Sequence, residues 1–145
     1  MDHQAEPLRF TGRVALVAPG ELFGGVERQL LDLGSALGAL MEKPPLLCLF
    51  HDQELASRAR DARIDTVIVH SRHRYDMRQV SRIVEILNQS NIQLLHCHGY
   101  RAMIVASLIP ERSKRPVVKT EHGLPEPVSR RPLAAMKVKL NHVHV

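Results

Sequence analysis

Residues 13–25 read RVALVAPGELFGG. Arg13 to Ala18 is almost unbroken in its apolar character, the pattern of a strand covered on both faces, as in a parallel sheet. Gly20 to Gly25 makes a turn. Val26, Leu30, Leu33, Leu37 and Leu40 then recur at steps of four and three, which lays one apolar stripe along a helix. Strand, Gly-Gly turn and helix make the opening of a β-α-β unit.

The rest of the chain repeats the alternation. Pro44 and Pro45 end the first unit, Leu46 to Phe50 reads as a second strand and Gln53 to Ala62 as a short polar helix. Ile64 to Val69, rich in β-branched residues, is a third strand. Met77, Val80, Ile83, Val84 and Leu87 stripe the next helix, and Ile92 to His96 is a fourth strand. Tyr100 to Ile109 is apolar nearly all round and predicts a buried helix. Val117 to Thr120 is a fifth strand, and Val128 to Leu140 reads as a last, basic helix. Strictly alternating strands and helices predict an α/β fold: a doubly wound, Rossmann-like parallel sheet of about five strands in the order 3-2-1-4-5, helices on both faces. The 145 residues suffice for one such domain. We expect a tail over 1–12 and the domain over 13–145.

With 44% hydrophobic and 24% charged residues the composition is that of an ordinary globular protein. No apolar run approaches the ~20 residues that span a bilayer. The first ten residues lack the basic and apolar regions of a signal peptide, so the expected location is cytoplasmic. Cys48 and Cys97 fall in strands that the expected order separates by one other strand, beyond the ~7 Å a disulfide allows, and read as buried free thiols. A net charge of +5 favours anionic partners. Aromatic residues, at 3%, are too few for the stacking platforms of a single-strand nucleic-acid binder, so no nucleic acid is expected.

In an open parallel sheet, ligands bind beyond the carboxyl ends of the strands, near the switch point between strands one and four. Three segments converge there: the Gly20 to Gly25 turn, His96-Cys97-His98-Gly99, and Glu121-His122-Gly123. Gly24 and Gly25 either make a tight turn or bring backbone N–H groups close to a phosphate at a helix start. Glu27 suits the helix dipole but would repel a phosphate unless it turned away. His96 reads as a buried, hydrogen-bonded histidine, and His122 as a ligand contact. No metal is expected, because Cys97 points away from His96 and His98 and the three cannot meet at a tetrahedral point. Arg130, Arg131, Lys137 and Lys139 interleave with Leu133, Met136 and Leu140. They read either as a solvated helix face with an apolar packing stripe or as a peripheral docking surface for the inner face of an anionic membrane.

The string Gly24-Gly25-Val-Glu-Arg-Gln-Leu-Leu-Asp-Leu, followed by Leu94-Leu95-His96-Cys97-His98-Gly99 and by Val117-Val-Lys-Thr-Glu-His-Gly123, resembles the N-terminal domain of family 4 glycosyltransferases. The three motifs stand in the family's order, and the resemblance extends from Arg13 onward. It implies a retaining enzyme of two facing Rossmann-like domains, the GT-B arrangement. Such an enzyme moves a sugar from a nucleotide-sugar to a glycan or lipid-linked acceptor, as in polysaccharide biosynthesis. It further implies that Gly24 and Gly25 approach the donor diphosphate and that His122, the catalytic position, lies close to the transferred sugar. His98, Glu121 and Gly123 would line the same cleft. The diphosphate leaving group would be stabilised electrostatically. No cofactor is implied, since the nucleotide-sugar is a substrate.

The family's second domain has no counterpart before Val145, so we expect a truncated, acceptor-side half, with the donor-binding domain absent or on a partner chain and no activity by itself. Two other readings stay open. Asp52, just past strand two, could hold a ribose in a dinucleotide-binding domain, although no GxGxxG is present. A non-catalytic interaction domain would instead expose an apolar patch.

Overall fold

The computed structural model describes residues 10–73 and 76–122. Five strands alternate with four helices: β1 (Arg13–Ala18), α1 (Gly25–Leu40), β2 (Leu46–Leu49), α2 (Glu54–Asp61), β3 (Asp65–Ile68), α3 (Met77–Gln89), β4 (Ile92–His98), α4 (Tyr100–Leu108) and β5 (Val117–Thr120), with a 3₁₀ turn at Glu111–Ser113 before the last strand. The sheet is parallel throughout and ordered β3-β2-β1-β4-β5, the expected Rossmann-like topology.

Alternation along each strand divides the core in two. Ala15, Val17, Cys48, Leu95 and Cys97 share one face with Val80, Ile83, Ile86 and Leu87 of α3 and Ala102, Met103, Val105 and Ala106 of α4. Val14, Leu16, Ala18, Leu47 and Leu49 share the other with Leu30 of α1 and Leu55, Ala56 and Ala59 of α2. Each large apolar side chain so buried contributes about 1.5–3 kcal/mol, which is why β1 and β2, buried on both faces, read as continuous apolar runs. Val17 pairs in register with Cys48 on one side and Cys97 on the other. The two thiols are therefore separated by a strand, free and buried, and burial pushes both up to about 12.

The stripes overshoot at two helix ends. Leu40 and Met77 continue the apolar spacing but stand exposed, at 83% and 55%, where α1 ends and α3 begins. Along α1 only Leu30 and Gly34 are fully buried; Gly34 lets Ile64 approach, and a Cβ there would lie 3.1 Å from Ile64 Cδ1. The α3 start is capped by Asp76, whose carboxylate accepts the N–H groups of Arg78 and Arg72, each at 3.0 Å. These two bonds, led by that from Arg72, hold the Asp76 carboxyl below its usual range. Strand four runs to His98 rather than stopping at His96, because its last residues stay paired with β5. Gly123, the basic segment with Arg130, Arg131, Lys137 and Lys139, and most of the expected tail lie outside the described residues.

Candidate functional site

All five strands point the same way, so the segments after Ala18, Leu49, Ile68, His98 and Thr120 gather along one edge of the sheet. From the adjacent strands β1 and β4 the chain departs in opposite directions, to β2 and to β5, which opens the crevice characteristic of this topology.

On one side of the crevice, Gly24 caps α1 in an extended conformation (φ −152°, ψ −151°) that any residue can adopt. Among the described residues, a Cβ on Gly24 would meet only Glu27 Oε2, at an ordinary 3.6 Å, and one on Gly25 would meet nothing within 4 Å. Neither the turn nor the packing requires two glycines here. Glu27 turns back on the chain, its Oε2 accepting the Gly24 N–H at 2.9 Å. This is half of a capping box, since glycine has no side chain to complete it. The carboxylate is thus committed to one N–H, and those of Gly25, Val26 and Glu27 have no acceptor within the helix.

On the other side stands a row of three imidazoles. His96 and His98 alternate with Cys97 and share a face of β4, and their ring centroids lie 4.3 Å apart. His122, just past β5, stacks on His98 at 5.4 Å, and His98 Nδ1 lies 3.1 Å from His122 Nε2. His96 Nε2 lies 2.7 Å from Thr120 Oγ1; His96 is hydrogen-bonded as expected but only half-buried, and it is His98 that is fully buried. His98 is 2% exposed, and its Nε2 has no hydrogen-bond partner among the described residues. Desolvation, with His96 and His122 nearby, lowers the His98 pKa to about 3, and burial lowers His96 as well. His98 is therefore neutral at neutral pH. Next to it, Gly99 takes φ +80° to start α4, a left-handed conformation that favours glycine.

Glu121 is sequence neighbour to His122 but not its spatial partner. It forms an ion pair with Lys119, two residues back along the chain, whereas His122 joins His98. Strand alternation thus sends Glu121 to the opposite side from the imidazole row.

A second cluster escaped the sequence reading. Glu21, after β1, pairs with Arg101 in the first turn of α4 and with His51, after β2, at 2.9 Å. Arg101 also approaches His51 at 3.4 Å and lies over the Phe50 ring, 5.9 Å from its centroid. Two loop residues and one from a helix start, each shortly after a different strand, thus tie the crevice together. Their only signal in the sequence is position: each follows closely on a strand. Asp52 pairs with Arg60 at 2.8 Å; that bond holds its carboxyl below the usual range and occupies the group a ribose would need.

Among the described residues no group of three or more His, Cys, Asp or Glu could hold a metal ion, and no helix is long and apolar enough to cross a membrane. A hollow of about 250 Å³ lies at the opposite edge, between Gly34 and Gly38 of α1, Pro44, Pro45 and the start of β3. It is remote from the carboxyl ends of the strands and holds none of the crevice residues.

Residues 23–144 match the model of Glycosyltransferase Family 4. The chain belongs to this family. The match contains Gly24, Gly25, His98, Glu121, His122 and Gly123. Among solved structures, the family 4 domain is similar to the lipopolysaccharide outer core galactosyltransferase WaaB (TM-score 0.66, 13% identity, 90% of this chain and 38% of that one). It is similar to a glycosyltransferase from Rickettsia africae (0.64, 18%, 81% and 31%) and to HepE from Anabaena, solved with UDP-glucose (0.62, 17%, 74% and 28%). At these identities the likeness establishes the Rossmann-like fold of GT-B glycosyltransferases. The chain spans roughly a third of the length of these structures. No curated protein matches it in sequence.

Proposed function

We propose that the crevice is one wall of the nucleotide-sugar site of a retaining glycosyltransferase, which transfers a hexose to a glycan or lipid-linked acceptor. The observation that carries this is the open backbone at Gly24 and Gly25. Glycine at both positions is unexplained by turn geometry or by any neighbour among the described residues, and is explained by a ligand that needs the space. The free N–H groups of the first α1 turn supply hydrogen bonds and the positive end of a helix dipole to a diphosphate, stabilising the charge that builds as it leaves. His122, across the crevice, faces the transferred sugar. His98 lies behind it, and Gly123 extends the same segment. Glu121, paired with Lys119, plays a lesser part in lining the cleft. The proposal calls for no metal or cofactor.

A site of this kind closes between two domains, and the family 4 domain supplies one of them. By itself it binds donor weakly and does not transfer sugar; the rest of the donor site comes from a second domain or a partner chain. The basic residues Arg130, Arg131, Lys137 and Lys139 add a peripheral contact with an anionic membrane at the inner, cytoplasmic face. Titration of the ¹⁵N-labelled chain with UDP-glucose tests the donor reading. We expect the largest amide shifts at Gly24 to Glu27 and at His122, with NAD producing none. Tighter binding of NAD, or UDP-glucose shifts confined to other segments, overturns it. Sugar transfer by the purified 145-residue chain would overturn the claim of inactivity.

A further inference from the structure

The contact between His98 and His122 holds a single proton when both rings are neutral, and which ring carries it determines what His122 can do. The shared contact joins His98 Nδ1 to His122 Nε2 at 3.1 Å. In one arrangement His122 Nε2–H donates and His98 Nδ1 accepts. A neutral His98 then carries its proton on Nε2, buried and with no acceptor among the described residues. In the other, His98 Nδ1–H donates, His98 Nε2 is left as a bare lone pair, and His122, accepting through Nε2, carries its proton on Nδ1. A buried N–H without an acceptor is rarer in folded proteins than an under-used acceptor, so the second arrangement is preferred.

We propose that His98 is a positioning residue: its Nδ1–H donates to His122 Nε2 and fixes His122 as the Nδ1–H tautomer, so that Nδ1–H is the donor His122 presents to the sugar. The remaining surroundings fit. Among the described side chains, the titratable groups in contact with His98 are His96 and His122. His96 is engaged with Thr120, so the other nitrogen-bearing ring beside His98 does not compete for its Nδ1. His98 also stays neutral far below neutral pH, being too buried to charge. The ring is thereby kept in the one-donor, one-acceptor state that the relay requires.

The inference rests on the donor-site reading for its purpose but not for its test. Long-range ¹H–¹⁵N correlation spectra of the 145-residue chain at pH 7.5 report which ring nitrogen is protonated. We expect Nδ1–H for both His98 and His122. His98→Phe keeps an aromatic ring and removes the donor, and His122 should return to the Nε2–H form that free imidazole side chains favour. His98→Asn places an amide N–H near the Nδ1 position and should restore the Nδ1–H form. A wild-type His122 found as Nε2–H overturns the proposal, as does a tautomer unchanged in His98→Phe. The wild-type spectrum decides even if the variants fold poorly. Failure of the donor reading would show separately, as an absence of UDP-glucose shifts at His122 with the tautomers as proposed.

Discussion

The interior of the sheet and its carboxyl edge obey different rules. In the interior, each residue's identity is accounted for by its neighbours in the chain. Leu95 and Cys97 fill the face under α3 and α4, and Gly34 is small because Ile64 lies against it. At the edge the same test fails. Among the described residues, a Cβ on Gly24 would meet only Glu27 at an ordinary distance and one on Gly25 would meet nothing, and His98 is a buried polar ring with one nitrogen unmatched. Under the proposed function, these edge residues are the ones whose partner is a ligand, and the contrast with the interior is what the following measurements test.

Truncating the interior gives the largest effect. Leu95, 1% exposed, lies at the centre of the face beneath the two helices, and Leu95→Ala should lower stability by about 2–5 kcal/mol through lost burial and the cavity left behind. Urea denaturation measures it. A loss below about 1 kcal/mol would mean that this face is not close-packed and would dissolve the contrast with the edge.

The edge should show its cost through pH. The His98 pKa falls from an ordinary 6.5 to about 3 in the folded chain, so between those values the unfolded state binds a proton that the folded state does not. Stability is complete above pH 6.5 and declines as pH falls, by about 1.4 kcal/mol per pH unit for one proton. His96, also lowered, adds to the slope. The lowered carboxyls of Asp52, Asp76 and Glu85 start from ordinary values of 3.8 to 4.5 and lose their contribution only below those values. The interval from pH 6.5 to 5 therefore isolates the histidines. His98→Phe should remove about one proton's worth of slope there while leaving stability at pH 8 unchanged or higher. An unaltered slope would show that His98 is not shut away from solvent.

How far the sequence foretold this molecule follows the same division. The extents of β1 and β5, the strand order and the separation of the two thiols were all legible, because burial on both faces writes itself as periodicity and apolar runs. Leu40 and Met77 show the limit of periodicity, which continues past the point where the sheet stops covering a helix. The edge was legible only as position. That His122 belongs with His98 and Glu121 with Lys119 follows from strand alternation carried past Thr120, which the adjacent letters Glu-His conceal. That Glu21, His51 and Arg101 join one another could not be read, since they lie 30 to 80 positions apart and meet only once the ends of β1, β2 and β4 are side by side.

The smallest change should separate the two regions most cleanly, because there its sign differs. Gly25 is the first residue of α1, with open space where a Cβ would go, and Gly34 lies in the same helix with Ile64 Cδ1 at 3.1 Å from that point. Alanine favours a helix interior over glycine by about 0.8–1 kcal/mol, with part of the gain coming from a less mobile unfolded chain. Gly25→Ala should keep some of that gain and stabilise the domain by about 0.5 kcal/mol. Gly34→Ala should lose its gain to the displacement of Ile64, ending neutral or destabilised. In the UDP-glucose titration the order reverses: Gly34→Ala should bind as the parent chain does, while Gly25→Ala should bind several-fold more weakly, because its methyl group takes up the space beside the α1 N–H groups. If Gly25→Ala were both more stable and equally able to bind, the open space at the edge would be mere surface, and the glycines would have no outside partner to explain them.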